Sequence, residues 1–84
     1  MKTHDLKIAS QHFAPVYVGV KTAELRKNDR DYQVGDLLKL REFSDGEYTG
    51  HFVIREVTHV TDVGFVAEGY VLLSMIPMNL LEAA

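Results

Sequence analysis

Lys21, Glu24 and Arg26 stand close together in the stretch from Gly19 to Arg30. With Lys27 and Arg30 they give this stretch four of the nine Lys and Arg residues of the chain. Only Val20, Ala23 and Leu25 interrupt it with apolar side chains. Two cations and a carboxylate converging on a concavity can do three kinds of chemistry. They can hold a phosphate, with the carboxylate orienting the cations. They can pair with the polar edge of a base, the carboxylate accepting from an amino group. They can also run acid–base chemistry where burial lowers the lysine pKa. A solvated strand face with a weak salt bridge is a fourth reading that requires no ligand. Arg30 extends the positive charge toward a phosphate beside such a pocket, although Asn28-Asp29-Arg30 also reads simply as a turn.

Other chemistries leave no trace. There is no glycine-rich phosphate loop and no nucleophilic serine on an elbow motif. His4, His12, His51 and His59 show no close pair at metal-ligand spacing, so neither a metal nor a cofactor is implied. Glu42 shares parity with Leu38 and Leu40. If those two face inward, Glu42 is drawn to the interior and needs a partner; a bulge there would release it. Tyr17 and Tyr70 read as core. Tyr32 and Tyr48 lie in polar, turn-rich stretches and are the better candidates for stacking on bases.

The elements that must position these residues follow from periodicity. His4 to Ala9 alternates as a strand. Ser10 reads as a helix N-cap, and Phe13, Val16 and Tyr17 form one apolar stripe ended by Gly19. Lys21 to Lys27 reads as a strand with Ala23 and Leu25 toward the core. Thr22, Glu24 and Arg26 then share the opposite face. Val34-Gly35-Asp36 marks a turn, Leu37 to Phe43 a strand, and Ser44-Asp45-Gly46 a hairpin. His51 to Thr61 is a long strand whose inward face is read as Phe52, Ile54, Thr58 and Val60. Tyr70 to Ile76 has the apolar run of a strand buried on both faces. Five strands and one early helix give a small α+β domain over residues 1–78, curled or closed into a barrel, with a short tail over 79–84.

Eighty-four residues make one domain with one modest core. The chain has no cysteine, so neither a disulfide framework nor a thiolate metal site is available. Its longest apolar run is broken by Ser74 and Pro77 and is too short to span a membrane. With no signal peptide in view, a cytoplasmic location is the expectation. The net charge of −3 argues against coating DNA without regard to sequence. It leaves room for a small basic pocket on an acidic protein.

The series Gly19-x-Lys21-x-x-Glu24-x-Arg26 resembles the signature of the ASCH domain, a branch of the PUA-like superfamily. The likeness continues through His4-x-Leu6-Lys7, Phe13, Lys27-Asn28-Asp29-Arg30, Val34-Gly35-Asp36, Arg41-Glu42, Tyr48-Thr49-Gly50 and Gly69-Tyr70-Val71. It is closest to small bacterial and phage ASCH-like proteins. The resemblance implies a PUA-like small β-barrel of about five strands, with a short N-terminal helix packed at its end and a cleft beside the motif. It also implies binding of RNA or of modified nucleotides, with Lys21, Thr22, Glu24, Arg26, Asn28 and Arg30 as the contact set. One ASCH-like group hydrolyses the amide of an acetylated cytidine through a lysine, a threonine three residues on and a distant glutamate. Lys21 matches that lysine, but Glu24 stands where the threonine would be, and Thr22 is only adjacent. Three readings follow. The first is an RNA- or nucleotide-binding module. The second is a small hydrolase of a modified nucleoside or RNA, using Lys21, Glu24 and a second carboxylate such as Glu42. The third is a protein-interaction module.

Overall fold

Alternation sets the first element. In the computed structural model, which describes residues 1–78, His4, Leu6 and Ile8 are buried along β1 (Thr3–Ala9) and the residues between them are exposed. Helix α1 (Ser10–Tyr17) follows directly. Ser10 is its first residue rather than its cap: Ala9 holds the N-cap position with extended backbone and no side-chain hydrogen bond. Two turns of helix have room for few core positions. Phe13 and Val16 take them, while Tyr17 is left 64% exposed, stacked on Phe13 at 6.0 Å. The chain then leaves the helix through Gly19, at φ +88.

Four more strands follow: β2 (Ala23–Lys27), β3 (Leu37–Ser44), β4 (Glu47–Asp62) and β5 (Tyr70–Pro77). They join β1 in one sheet of order β1-β3-β4-β5-β2, with β1 parallel to β3 and every other pair antiparallel. The sheet curls into a half-barrel, so the expected five strands and one early helix are present. Its interior holds Leu38, Leu40, Val57, Leu73 and Val16, all fully buried. The β3–β4 hairpin turns on Asp45 and Gly46, both at positive φ, which matches the twist of the flanking strands.

The facing of β2 is the reverse of the sequence expectation. Glu24 is buried, at 6% exposure, and Leu25 is 55% exposed. The cause is register. Glu24 pairs with Leu73 and Arg26 with Val71, and cross-strand partners share a face. Because Leu73 and Val71 fill the core, Glu24 and Arg26 point inward with them. Strand β4 is reversed in the same way. Val53 and Val57 are buried, whereas Phe52 and Thr58 are exposed. A bulge between Val57 and His59 leaves Thr58 unpaired and returns Val60 to the core side. Strand β5 buries only one face, through Val71, Leu73 and Met75, with Tyr70 and Ile76 exposed. The tail expected over 79–84 lies outside the described residues.

Candidate functional site

Lys21, Glu24 and Arg26 form one hydrogen-bonded unit. Lys21 precedes β2, and its backbone N–H is tied to Pro15 O at 3.0 Å, which fixes where its stem starts. Its Nζ donates to Glu24 Oε1 and to Ala23 O, both at 2.6 Å. The other Glu24 oxygen, Oε2, accepts from Arg26 Nε at 2.9 Å, with Nη2 at 2.7 Å. Both oxygens of a buried carboxylate are therefore engaged by charged donors, which is how a buried charge is tolerated. Arg26 also reaches across the mouth of the half-barrel: Nη2 donates to Lys7 O on β1 at 2.8 Å. Strands β1 and β2 are the two free edges of the sheet, so one guanidinium bridges them.

A cleft of about 200 Å³ opens beside this bridge. Leu6 and Lys7 line it from β1. Arg26, Lys27, Asp29 and Arg30 line it from β2 and the following bend, and Tyr32 completes it. It presents four cations against the single carboxylate of Asp29. Tyr32 is buried, contrary to its expectation as an exposed stacking residue. Burial pushes its hydroxyl pKa up, the positive charges of Arg26 and Arg30 pull it down, and Asp29 and Glu24 push it up again. At pH 7 it is a neutral donor and acceptor in the cleft wall.

The remaining expected site residues are dispersed. Thr22 is exposed and acts through its backbone, its carbonyl accepting from Met75 N–H at 3.0 Å. Asn28 lines a different hollow, next to Gly69 and Tyr70. Glu42 sits where the β3–β4 register shifts between Arg41 and Phe43, opposite Thr49 to His51 of β4. Gly50 takes φ +96 within that bulge, a conformation that L side chains rarely adopt. The Glu42 carboxylate accepts from Thr49 Oγ1 at 2.8 Å and lies 3.4 Å from His51 Nδ1. The Thr49 bond is the main cause of its lowered pKa, partial burial opposes it, and Ser10 and His51 add to the lowering. Lys21 and Glu24 are thus joined, while Glu42 is bonded elsewhere and lines the hollow under α1.

One buried pair had no place in the sequence reading. His4 Nε2 and Asp36 Oδ2 lie 2.8 Å apart, and the His4 ring packs on Tyr32 at 4.7 Å. Asp36 also accepts from the backbone N–H groups of Lys2 and Gln33, each at 3.0 Å. The pair staples β1 to the turn before β3 and holds up the ring of Tyr32. The available signal was that His4 shares the parity of Leu6 and Ile8. Among the described residues, no group of three or more His, Asp or Glu could hold a metal ion. No helix there is long and apolar enough to cross a membrane.

Residues 3–75 match the model of a domain of unknown function, DUF3850. The chain is also 44% identical over 75 residues to an uncharacterized 12.9 kDa protein in the GpA 3′ region of Escherichia phage P2. That alignment covers 89% of this chain and 69% of the phage protein. A family match spanning nearly the whole domain, together with a relative this similar, places the chain in the DUF3850 family.

Proposed function

We propose that the protein binds RNA or a nucleotide through the cleft between β1 and β2. The observation that carries this reading is the concentration of Lys7, Arg26, Lys27 and Arg30 around one cleft of a chain whose net charge is −3. A local patch on an acidic surface attracts an anion without coating nucleic acid indiscriminately. Arg26 is held in place by Glu24 and Lys7 O, so a ligand meets a guanidinium that has already lost its freedom, which lowers the cost of binding. Glu24 and Lys21 lie outside the cleft lining, and we assign them to positioning Arg26. The exposed Arg30 supplies the free charge. The cleft is smaller than typical small-molecule pockets, at about 300–1,000 Å³. It suits a phosphate and part of a sugar or base. The resemblance of the Gly19-x-Lys21-x-x-Glu24-x-Arg26 series to the ASCH signature supports this reading. The hydrolase alternative requires a reactive Lys21, and the hydrogen bonds of Lys21 to Glu24 and Ala23 O favour a positioning role instead.

Titration with nucleoside monophosphates and short RNAs at several salt concentrations tests the proposal. One to three neutralised phosphates at about −0.7 each give a log–log salt slope of roughly −0.7 to −2. Arg30→Ala should weaken binding by about 1.5–3 kcal/mol, the worth of a hydrogen bond to a charged group. Glu24→Gln should change stability more than affinity, because its oxygens face Lys21 and Arg26. A wild type that binds neither probe at low salt would remove the proposal, as would an Arg30→Ala variant that binds like it.

A further inference from the structure

We infer that the outer face of β1, β3 and β4 is a track for single-stranded nucleic acid, continuous with the cationic cleft. Three cation–aromatic pairs lie side by side there. Lys7 Nζ stands 4.2 Å from the Phe43 ring centroid, Arg41 Cζ 3.8 Å from Tyr48, and Lys39 Nζ 4.6 Å from Phe52. Phe43 and Tyr48 meet edge to face at 5.1 Å. Register puts these residues on one surface: Lys7 pairs with Arg41, Arg41 with Phe52, and Phe43 with Tyr48. Leu6, Leu38, Leu40 and Val53, at the intervening positions, fill the core. A chain of 84 residues holds about one energetically significant cation–aromatic pair, so three on one face are a concentration.

The Phe43–Tyr48 pair also supports the hairpin as a cross-strand contact, but Phe52 is 50% exposed and Tyr48 42% exposed, so both rings present open area to a ligand. Asp5, 3.5 Å from Arg41, is the only carboxylate paired with these three cations among the described residues. Exposed rings interleaved with cations offer what an unpaired strand of nucleotides presents: base faces to stack and phosphates to neutralise. A stacked base can displace a lysine from its ring, and the freed ammonium then reaches the adjacent phosphate. Lys7 supplies the continuity. It lines the cleft beside Arg26, and its ammonium lies over Phe43 on the outer face. The inference rests on the cleft reading for where the strand begins, and on the outer face alone for how it continues. The occupant is a single strand, because a duplex hides its base faces.

The test uses the full chain with three probes: a nucleoside monophosphate, and unstructured RNA and DNA oligomers of about eight nucleotides, within single-strand site sizes. The oligomers should bind more tightly than the monophosphate, with a salt slope steeper by about −0.7 for each added phosphate contact. Phe52→Ala and Tyr48→Ala should each weaken oligomer binding by about tenfold and leave monophosphate binding unchanged. Phe65→Ala removes an aromatic that is 84% exposed in the loop between β4 and β5 and belongs to none of the three cation–aromatic pairs, and it should change neither. Ring protons of Phe52 and Tyr48 should shift upfield on oligomer addition, a readout that a general loss of stability does not mimic. A preference for RNA over DNA would show that the 2′-hydroxyl is read, and equal binding would show that stacking and charge suffice; both support the track. Oligomer affinity equal to that of the monophosphate would overturn the inference while leaving the cleft reading intact. Loss of monophosphate binding alone would overturn the cleft reading and leave the track. Unshifted rings, or no binding of any probe, would overturn the track.

Discussion

Glu24 carries one negative charge and meets two positive ones. Burying a carboxylate costs several kcal/mol unless its oxygens are filled. Lys21 fills one and Arg26 the other. The same exchange holds Arg26 in the orientation that faces Lys7 O and the cleft. Asp36 follows the same logic with neutral donors added. Burial alone raises its pKa; hydrogen bonds from His4 and from the N–H groups of Lys2 and Gln33 outweigh this and bring it to about 2, below the ordinary 3.8. A carboxyl whose folded pKa is depressed adds stability above its unfolded pKa. That stability is lost as pH falls from 3.8 through about 2. Denaturant midpoints measured from about pH 5 down to pH 2 should therefore fall for the wild type. Asp36→Asn should begin lower by about 1–3 kcal/mol, the cost of an impaired buried hydrogen-bond set, and should flatten in the acid window. An unchanged acid slope in Asp36→Asn would assign the acid sensitivity to other carboxylates.

At the scale of elements, strand parity decides what each residue does. Alternation in Thr22 to Lys27 predicts that Glu24 and Arg26 share a face, and they do. It cannot predict which face, because a strand carrying both Leu25 and Glu24 offers an apolar residue to either side. The partner strand decides. Strand β5 offers Val71, Leu73 and Met75 to one side, and β2 pairs so that its charged face joins them. In β1 the large apolar residues Leu6 and Ile8 share one parity, and their facing was legible from sequence alone; in β3 Leu38 and Leu40 take the core, while Leu37 and Phe43 lie on the opposite parity. The hairpin at Asp45-Gly46 was legible for the same reason: two positive-φ positions have few residue solutions. The bulge at Thr58 was not, since it depends on the neighbouring strand, and the one at Glu42 was legible only as the alternative to an inward carboxylate. Substitution tests the inverted parity directly. Leu25→Gln should shift stability by no more than about 0.5 kcal/mol, as surface changes do. Leu73→Ala, across from Glu24, should cost about 2–5 kcal/mol. A Leu25→Gln variant as damaged as Leu73→Ala would return Leu25 to the core and Glu24 to solvent.

For the whole molecule, the consequence is a sheet that is curled but not closed by a strand ladder. Its order places β1 at one edge and β2 at the other. Among the described residues no β1–β2 pairing is present, and Arg26 Nη2 donates to Lys7 O across the gap between them. A bond from a charged donor contributes about 1.5–3 kcal/mol. It should therefore govern local opening of the edges rather than global unfolding, which the β3–β4–β5 ladders and the core resist. Arg26→Lys isolates this term. A lysine keeps the charge opposite Glu24 but has no planar fork to hold the carboxylate and the β1 carbonyl at once. Native-state amide hydrogen exchange should then rise in β1 and β2 by about tenfold to a hundredfold, with protection in β3, β4 and β5 nearly unchanged. Uniform loss of protection over all five strands would mean that Arg26 supports the fold as a whole. No change at either edge would mean that the curl is set by strand twist and packing alone, and that the guanidinium is free to leave Lys7 O for a ligand at no structural cost.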